Sequence, residues 1–176
     1  MRLGLMGAPL VRHLAAAGHR LHLWARRAAA LEAFVEVGAQ SHASAAEVAR
    51  LGDVVIIMVA NAPDVREVTL GTDGIAAGPR PGLIVVDMST INPNAAREIG
   101  EALAARGIEF LDAPVSGGQV GAINATLTIM VAGKVTAFEQ VKPLFEKMGK
   151  SITLIGGTGA GQVAKACNQI LTGVGV

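Results

Sequence analysis

Short apolar runs recur along the chain and are separated by longer stretches of mixed polarity. The clearest runs are four to six residues long and rich in β-branched side chains, which is typical of buried strands. They occupy residues 54–59, 83–86, 127–131 and 152–155. Residues 21–24 alternate more weakly between apolar and polar, and residues 109–111 form a short sixth candidate. We therefore predict strands at these positions.

Helical periodicity fills the stretches between the runs. Residues 44–47 have the capping-box pattern, in which two side chains satisfy backbone amides at a helix start. Residues 94–106 are rich in alanine and follow Pro93, which suits a first helical turn. Residues 137–148 carry apolar side chains at helical spacing, and Pro143 predicts a kink or a boundary there. The alternation of strands and helices predicts an α/β domain whose mostly parallel sheet is covered on both faces.

Composition narrows the classes of protein to consider. Of the 176 residues, 51% are hydrophobic and 16% are charged, which suits a folded domain with a core. The formal net charge of +1 provides no general attraction for nucleic acid. No apolar run reaches the roughly 18 residues that a membrane helix needs. The only cysteine, Cys167, cannot form an internal disulfide, so we expect a reducing compartment and assign the cytoplasm.

The last segment of the chain carries an unusual polar stripe. Gln162, Lys165, Gln169 and Thr172 recur at three- and four-residue spacing, so they share one side of a predicted helix. Asn168 lies beside this stripe, one turn from Lys165. Two interpretations remain open at this point. The segment is either a surface helix with an ordinary solvated lysine, or a buried helix whose polar stripe lines a site.

The beginning of the chain contains part of a glycine-rich turn. Gly4-Leu5-Met6-Gly7 leads into a helical pattern, and such a turn lets backbone amides approach a pyrophosphate. The complete fingerprint has three glycines, and Arg2 stands where the first of them belongs. A helix start built from small residues explains the same pattern equally well.

Two arginines follow the weak strand at residues 21–24. In a dinucleotide-binding fold, an acidic residue at this strand end binds the ribose hydroxyls, whereas an arginine accommodates a 2′-phosphate. Ala25, Arg26 and Arg27 occupy the position here, which favours the phosphate. The alternative is that both arginines are simply solvated after a strand.

Residues 112–118 follow another predicted strand and end in Ser116, Gly117 and Gly118. Closely spaced amides beside a hydroxyl form a suitable cradle for a carboxylate. A glycine-rich surface loop is the alternative interpretation.

Taken in order, these motifs resemble those of the β-hydroxyacid dehydrogenases. The matching elements are the Gly-x-Met-Gly turn, Asp-Met-Ser-Thr at residues 87–90, residues 112–118, and Gly-x-Gly-x-x-x-Lys-x-x-Asn at residues 159–168. The resemblance covers nearly the whole chain. It implies a Rossmann-like, doubly wound, mostly parallel sheet that ends in the start of a long interdomain helix. Gln169 and the stretch 141–157 look like the subgroup of tartronate semialdehyde reductases.

The resemblance implies how residues would handle a small-molecule carboxylate substrate. Lys165 would be the catalytic acid that gives a proton to the carbonyl oxygen as hydride arrives from the nicotinamide. Asn168 would hydrogen-bond the substrate nearby, and Ser116, Gly117 and Gly118 would hold its carboxylate. A buried lysine near a cationic nicotinamide should have a lowered pKa, which suits proton exchange near neutral pH.

The resemblance also implies a dinucleotide cofactor and no metal. Thr90 and the turn formed by Val59 and Ala60 would contact the nicotinamide half. The complete set of implied cofactor-binding residues is Gly4, Leu5, Met6, Gly7, Arg26, Arg27, Val59, Ala60 and Thr90. The two arginines favour NADP(H), with NAD(H) as the alternative. The chain departs from the family pattern at Ala60, where the family has proline, and at Ala125, where glycine is usual.

The implied reaction is hydride transfer from NAD(P)H to a small semialdehyde acid, in the first place 2-hydroxy-3-oxopropionate (tartronate semialdehyde), which becomes glycerate. The alternatives are a 3-hydroxyisobutyrate dehydrogenase and a glyoxylate or succinic semialdehyde reductase. From another class, a dinucleotide-binding module without catalysis also fits the fold.

The resemblance divides the chain into two parts. Residues 1–157 would form the NAD(P)-binding domain, with its first strand largely missing, and residues 158–176 would begin the interdomain helix. A C-terminal helical domain would be absent, so we expect the isolated chain to be inactive. The full-length enzyme would be a homo-oligomer.

Overall fold

The computed structural model of the protein describes residues 4–174, in which strands and helices alternate as predicted. The strands are β1 (His22–Leu23), β2 (Gln40–Ser41), β3 (Val54–Ile57), β4 (Ile84–Asp87), β5 (Glu109–Asp112), β6 (Val115–Ser116), β7 (Leu127–Ala132) and β8 (Gly149–Gly156). The α-helices are α1 (Gly7–Ala16), α2 (Ala45–Leu51), α3 (Ala62–Leu70), α4 (Pro93–Ala104), α5 (Gly118–Ile123), α6 (Val135–Phe145) and α7 (Ala160–Val174). Two 3-10 helices occupy Ala28–Val37 and Ile75–Ala77.

Six strands form the main sheet, in the order β3-β4-β5-β7-β6, with β8 also paired to β7. Strands β3, β4 and β5 are parallel, and so are β7 and β8. The contact between β5 and β7 is antiparallel and joins Asp112 to Ala132. The short strand β6 also runs antiparallel to β7. These pairings confirm the predicted Rossmann-like, mostly parallel α/β fold.

Strand β4 shows why this sheet is covered on both faces. All four of its residues are buried. Val86 belongs to a core cluster with Leu10 of α1 and Phe138 of α6. Val85 belongs to a second cluster with Ile99 of α4. Since alternate side chains of a strand point to opposite faces, helices pack on both sides of the sheet.

Strands β1 and β2 form a separate parallel pair with a small core of their own. A cavity of about 590 Å³ lies between β1 and the outer side of β3, and its lining includes Leu23, Val55 and Leu144. The first strand was expected to be largely missing, and residues 1–3, where its remnant would lie, are outside the described residues.

The helix predictions were correct in position and inexact at their ends. Ser44 caps α2 by accepting a hydrogen bond from the Glu47 amide over 3.1 Å. Glu47 in turn accepts from the Ala43 amide, so the reciprocal capping interaction forms one residue before the expected place. Pro143 lies in the last turn of α6 and not at a mid-helix kink. Helix α3 was not predicted, although Asn61 caps it and Pro63 lies in its first turn.

Ala125 has a φ of 53°, in the left-handed region that favours glycine. It follows α5 directly after Asn124. The departure from the family pattern noted at this position therefore places a side chain where the backbone suits glycine.

Within the described residues, no helix is long and apolar enough to cross a membrane.

Candidate active site

A second cavity of about 590 Å³ opens where β3 and β4 end, between the start of α1, the start of α5 and one side of α7. In open α/β sheets, ligands bind outside the carboxyl ends of the strands, which is where this cavity lies. Eight of the predicted site residues line it: Met6, Val59, Ala60, Thr90, Ser116, Gly117, Gly118 and Lys165. Residues separated by more than 150 positions in sequence therefore meet around one space.

Lys165 is the buried charge of this cavity. Its exposed fraction is 8%, and its ammonium group donates a hydrogen bond of 2.7 Å to Oε1 of Gln169, one turn along α7. Burial lowers the pKa of Lys165 below its usual value. Among the described residues that line the cavity, Lys165 is the only charged one. The position therefore suits a group that attracts an anion and releases a proton more readily than a surface lysine.

The polar stripe of α7 divides between two environments. Gln162 and Lys165 are buried, whereas Gln169 and Thr172 are exposed, although both also line the cavity. Asn168 is half-buried and does not line the cavity itself. Its side-chain amide donates to the Ser116 hydroxyl over 3.3 Å, which joins α7 to the predicted carboxylate cradle. The structure therefore lies between the two interpretations: Lys165, Gln169 and Thr172 line the cavity, but residues 163, 166–167 and 169–172 are exposed, so α7 is only partly buried.

The predicted carboxylate cradle lies between β6 and α5. Ser116 is the last residue of β6 and pairs with Thr128 of β7. Gly117 and Gly118 have φ values of 124° and 58°, so both adopt conformations that L side chains rarely take. Gly118 begins α5, and a Cβ atom built on it would meet no atom within 4 Å. The segment is thus a strand-to-helix turn with open space beside it, which leaves room for a ligand.

The side chains of Asp112 and Gln162 attach α7 to the rest of the domain, a role that was not predicted for either of them. The Asp112 carboxylate at the end of β5 accepts hydrogen bonds from the amides of Gly159 (2.6 Å) and Gln162 (3.0 Å). The Gln162 side chain accepts from the Ile91 amide (3.0 Å) and donates to the Ser89 carbonyl (2.8 Å). The helix with Lys165 is therefore fixed both to β5 and to the segment after β4, which contains Thr90.

The contact between α7 and the sheet is close. A Cβ atom on Gly161 would lie 2.8 Å from the Asp112 carboxylate and closer still to the Met130 carbonyl. Glycine at this position lets the helix start approach the sheet without a clash.

Asp87, at the end of β4, is a second buried carboxyl group beside this contact. It is fully buried, and its Oδ1 accepts from the Ser89 amide over 2.9 Å. Its Oδ2 has no hydrogen-bond partner among the residues that the structure describes. Burial raises the pKa of Asp87 to about 7, and hydrogen bonds from Ser89 oppose that rise. Burial also raises the pKa of Asp112, against the hydrogen bonds from Gly159 and Gln162.

The remaining predicted cofactor residues lie outside the cavity around Lys165. Gly7 is buried and begins α1, whereas Leu5 is 69% exposed. The carbonyl of Gly4 accepts from the Ala8 amide over 3.1 Å, which closes the turn. Arg26 and Arg27 are exposed after β1, and Arg26 forms an ion pair with Asp64. The predicted cofactor residues therefore fall into a group that lines the cavity around Lys165, in which Ala60 and Thr90 are exposed, and further groups at the turn before α1 and after β1.

The described residues fit a dinucleotide. The α1 N-terminus has no side-chain cap, so its first amides are not used by a protein acceptor at that cap. The cavity reaches from Met6, at this helix start, to the ends of β3 and β4. A cofactor bound along this crevice would bring a ring to Thr90 and Lys165, while its phosphates lie near α1.

Comparisons with known proteins agree with this geometry. Residues 2–156 match the family described as the NAD-binding domain of 6-phosphogluconate dehydrogenase. The 2-hydroxy-3-oxopropionate reductase of Escherichia coli (strain K12) is 43% identical over 174 residues, which cover 99% of this chain and 59% of that protein. The NAD-dependent L-serine dehydrogenase of Pseudomonas aeruginosa is 44% identical over 172 residues, which cover 98% and 58% of the two chains.

A solved structure has the same fold. It is Mycobacterium tuberculosis 3-hydroxyisobutyrate dehydrogenase with L-serine, which superposes with a TM-score of 0.90 at 36% identity. The match covers 97% of this chain and 57% of that one. The chain therefore spans slightly under three fifths of the length of each of these relatives. Because the family match covers residues 2–156, we conclude that this chain belongs to the family of the NAD-binding domain of 6-phosphogluconate dehydrogenase, with a Rossmann-like fold and similarity to β-hydroxyacid dehydrogenases along nearly its whole length.

Proposed function

We propose that the protein reduces a small semialdehyde acid with NAD(P)H, and specifically converts 2-hydroxy-3-oxopropionate into glycerate. The observation that carries this proposal is the position of Lys165, the only charged residue among the described lining residues of a cavity that also contains Ser116 and Thr90. A single buried cation in an otherwise uncharged cavity suits an anionic substrate whose carbonyl oxygen must gain a proton.

In the proposed reaction, the reduced nicotinamide supplies a hydride to the carbonyl carbon, and the carbonyl oxygen takes a proton. Lys165 donates that proton from Nζ and becomes a neutral amine. The lowered pKa of Lys165 makes this transfer easier than it would be from a solvated lysine. Gln169 holds Nζ in place by accepting its hydrogen bond.

Substrate orientation would come from the turn between β6 and α5. We propose that the Ser116 hydroxyl and the amides of Gly117 and Gly118 bind the substrate carboxylate. Asn168 contacts Ser116 from α7, so it can bind the same substrate next to Lys165. Val59, Ala60 and Thr90 also line the cavity and would contact the nicotinamide.

For the cofactor, we propose a preference for NADP(H) over NAD(H). The strand end after β1 has no acidic residue at Ala25, and Arg26 and Arg27 follow it. Guanidinium groups bind a 2′-phosphate through charge-assisted hydrogen bonds.

Several relatives suggest other substrates. One relative is named an L-serine dehydrogenase, and another, at 42% identity, a 3-hydroxyisobutyrate dehydrogenase. Both substrates are small hydroxy acids that the same carboxylate cradle would accept. A dinucleotide-binding module without catalysis is the alternative from another class, and buried Lys165 speaks against it because such a module needs no proton donor.

The decisive experiment is a cofactor oxidation assay on the protein extended to the full length of its relatives. The substrates are 2-hydroxy-3-oxopropionate, glyoxylate and succinic semialdehyde, and in the oxidative direction 3-hydroxyisobutyrate and L-serine. The proposal expects the highest kcat/KM with 2-hydroxy-3-oxopropionate. A higher value for another substrate would replace it, and cofactor binding without turnover on any of them would favour the non-catalytic module.

We propose in addition that the full-length protein is a cytoplasmic homo-oligomer. Ile170 and Leu171 on α7 are 65% and 74% exposed, which leaves apolar surface for a further contact. Light scattering on the full-length protein measures its oligomeric state, and a monomer would contradict the proposal.

A further inference from the structure

An exposed ion pair links two segments outside the cavity around Lys165. The Arg26 guanidinium binds the Asp64 carboxylate through two parallel hydrogen bonds, Nη1 to Oδ1 at 3.0 Å and Nη2 to Oδ2 at 3.1 Å. Arg26 lies just beyond β1, and Asp64 lies in the first turn of α3, which follows β3. The pair therefore connects segments that follow the carboxyl ends of two strands.

Asp64 is held firmly on its side of this contact. Its amide donates to the Asn61 side chain over 2.9 Å at the α3 cap, and its carboxylate is 18% exposed. Arg26 has 61% of its side chain exposed. The carboxylate is thus the fixed partner, and the arginine is the partner that can turn toward a ligand.

The position of Arg26 gives this pair a consequence for nucleotide recognition. At this strand end of the fold, an arginine accommodates the ribose 2′-phosphate of NADP. A guanidinium that already makes two parallel bonds to a carboxylate has its charge largely neutralised and its best donor edge occupied. A 2′-phosphate must then displace Asp64 or accept it as a like-charged neighbour.

We propose that Asp64 is a specificity-determining residue, an internal counterion that competes with the 2′-phosphate for Arg26. Asp64 thereby narrows the difference in affinity between 2′-phosphorylated and unphosphorylated nucleotides that the two arginines would otherwise create. This inference rests on the proposed dinucleotide site and names a residue that controls its selectivity. Arg27 is in no ion pair within residues 4–174, so it keeps its charge available to the phosphate.

The test measures nucleotide affinity and does not depend on turnover. Dissociation constants for adenosine 2′,5′-bisphosphate and for 5′-AMP are determined by isothermal titration calorimetry on this chain and its variants. Asp64→Asn keeps the shape of the side chain and removes its charge. The selectivity ratio is the dissociation constant of 5′-AMP divided by that of adenosine 2′,5′-bisphosphate. In Asp64→Asn this ratio should rise about 3- to 10-fold, because one exposed competing charge is lost.

A matched control exists on the same helix. Arg66 of α3 forms an ion pair of 2.6 Å with Glu98 of α4, and both side chains are at least half exposed. Glu98→Gln removes one carboxylate from this comparable pair, away from Arg26, so the ratio should stay within about 2-fold of the parent value.

A double-mutant cycle shows whether Asp64 acts through Arg26. Arg26→Gln should lower the ratio, and Asp64→Asn should then change it little, because no guanidinium remains to be released. Asp64→Ser is a second variant that keeps a helix-compatible polar group.

An unchanged ratio in both Asp64 variants would overturn the inference and leave the reductase proposal intact. An equal rise with Glu98→Gln would also overturn it, since the effect would then be general electrostatics. Failure of the parent chain to bind either nucleotide would overturn both the inference and the proposed cofactor site. A shifted ratio in a protein that reduces no semialdehyde acid would support the inference and remove only the proposed reaction.

Discussion

The cavity around Lys165 and the surface around Arg26 are the two ends of the proposed dinucleotide site, and they are held by different interactions. Around Lys165, the Asp112 carboxylate and the Gln162 amide make buried hydrogen bonds to backbone groups. Around Arg26, an exposed ion pair is the main contact between segments. Buried bonds to backbone cannot be exchanged for water, whereas an exposed pair exchanges with solvent at little cost.

This difference suits the roles proposed for the two ends. Hydride and proton transfer would need atoms held within a few tenths of an ångström, and the fixed bonds at the Lys165 end would provide that order. Recognition of a phosphate needs only a charge at the right place, and an exposed arginine can move to meet it. We therefore expect substitutions at the Lys165 end to have large effects and those at the Arg26 end to have small ones.

The largest effect should come from Lys165, the proposed proton donor. Lys165→Ala in the full-length protein should lower kcat about 10²- to 10⁴-fold, the usual contribution of a positioned general acid. Cofactor affinity should change little. Lys147→Ala, which removes an exposed lysine, is the control and should keep kcat near the parent value. Near-normal turnover of the Lys165 variant would remove this residue from the mechanism.

The second effect concerns the attachment of α7. Gln162→Leu leaves the Ile91 amide and the Ser89 carbonyl buried without their partner, so the free energy of unfolding should fall by about 3 kcal/mol. Urea unfolding measures this loss. The control is Gln140→Leu, because Gln140 is exposed on α6. Equal stability of the two variants would show that the Gln162 bonds do not hold the Lys165 end together.

The third effect depends on pH and on Asp87. The pKa of this carboxyl is about 7 in the folded protein and near 3.8 when unfolded, so between these values the folded state binds more protons. Stability therefore falls as pH rises, and the loss between pH 6 and 8 should be about 1 kcal/mol.

Asp87→Asn removes this titration while keeping an acceptor for the Ser89 amide. Urea unfolding of parent and variant at pH 6, 7 and 8 should give a smaller slope for the variant. Parallel stability profiles would mean that Asp87 does not ionise in this range.

The fourth effect tests strain next to the carboxylate cradle. Ala125 has a positive φ, so Ala125→Gly should raise the free energy of unfolding by up to about 1 kcal/mol. Ala122→Gly within α5, where the backbone is helical, should instead destabilise the protein. Destabilisation by both variants would show that Ala125 is not strained.

The smallest effect belongs to the Arg26 end. Asp64→Asn breaks an exposed ion pair, so the free energy of unfolding should change by less than about 1 kcal/mol. A loss as large as that of Gln162→Leu would abolish the distinction between the two ends.

The sequence predicted the elements best where a local pattern carries the information. The buried runs of β3, β4 and β7 appeared as unbroken apolar stretches because these strands are covered on both faces. Helix α3 was missed although its start signals, Asn61 and Pro63, are local, so a systematic search for caps would have found it.

The site was predicted in part, and the reason for the difference is distance along the chain. Lys165 and Ser116 follow from motifs, since each lies in a short recognisable segment. The hydrogen-bond partners of Asp112 lie 47 and 50 residues away in sequence, and those of the Gln162 side chain lie more than 70 residues away. No local pattern predicts contacts over such distances. The Arg26–Asp64 pair likewise spans 38 residues and depends on how two strand ends meet.

Gly161 has no side chain, and the start of α7 packs closely against the sheet at this residue. The methyl group of an alanine at this position would lie 2.8 Å from the Asp112 carboxylate and closer still to the Met130 carbonyl. Ordinary contact begins at 3.4 Å, so the start of α7 would have to shift by more than about 0.6 Å. Lys165 lies one turn further along α7, so it would move together with the start of the helix. An alanine at position 161 lies outside the cavity lining but would therefore displace Lys165, the proposed proton donor.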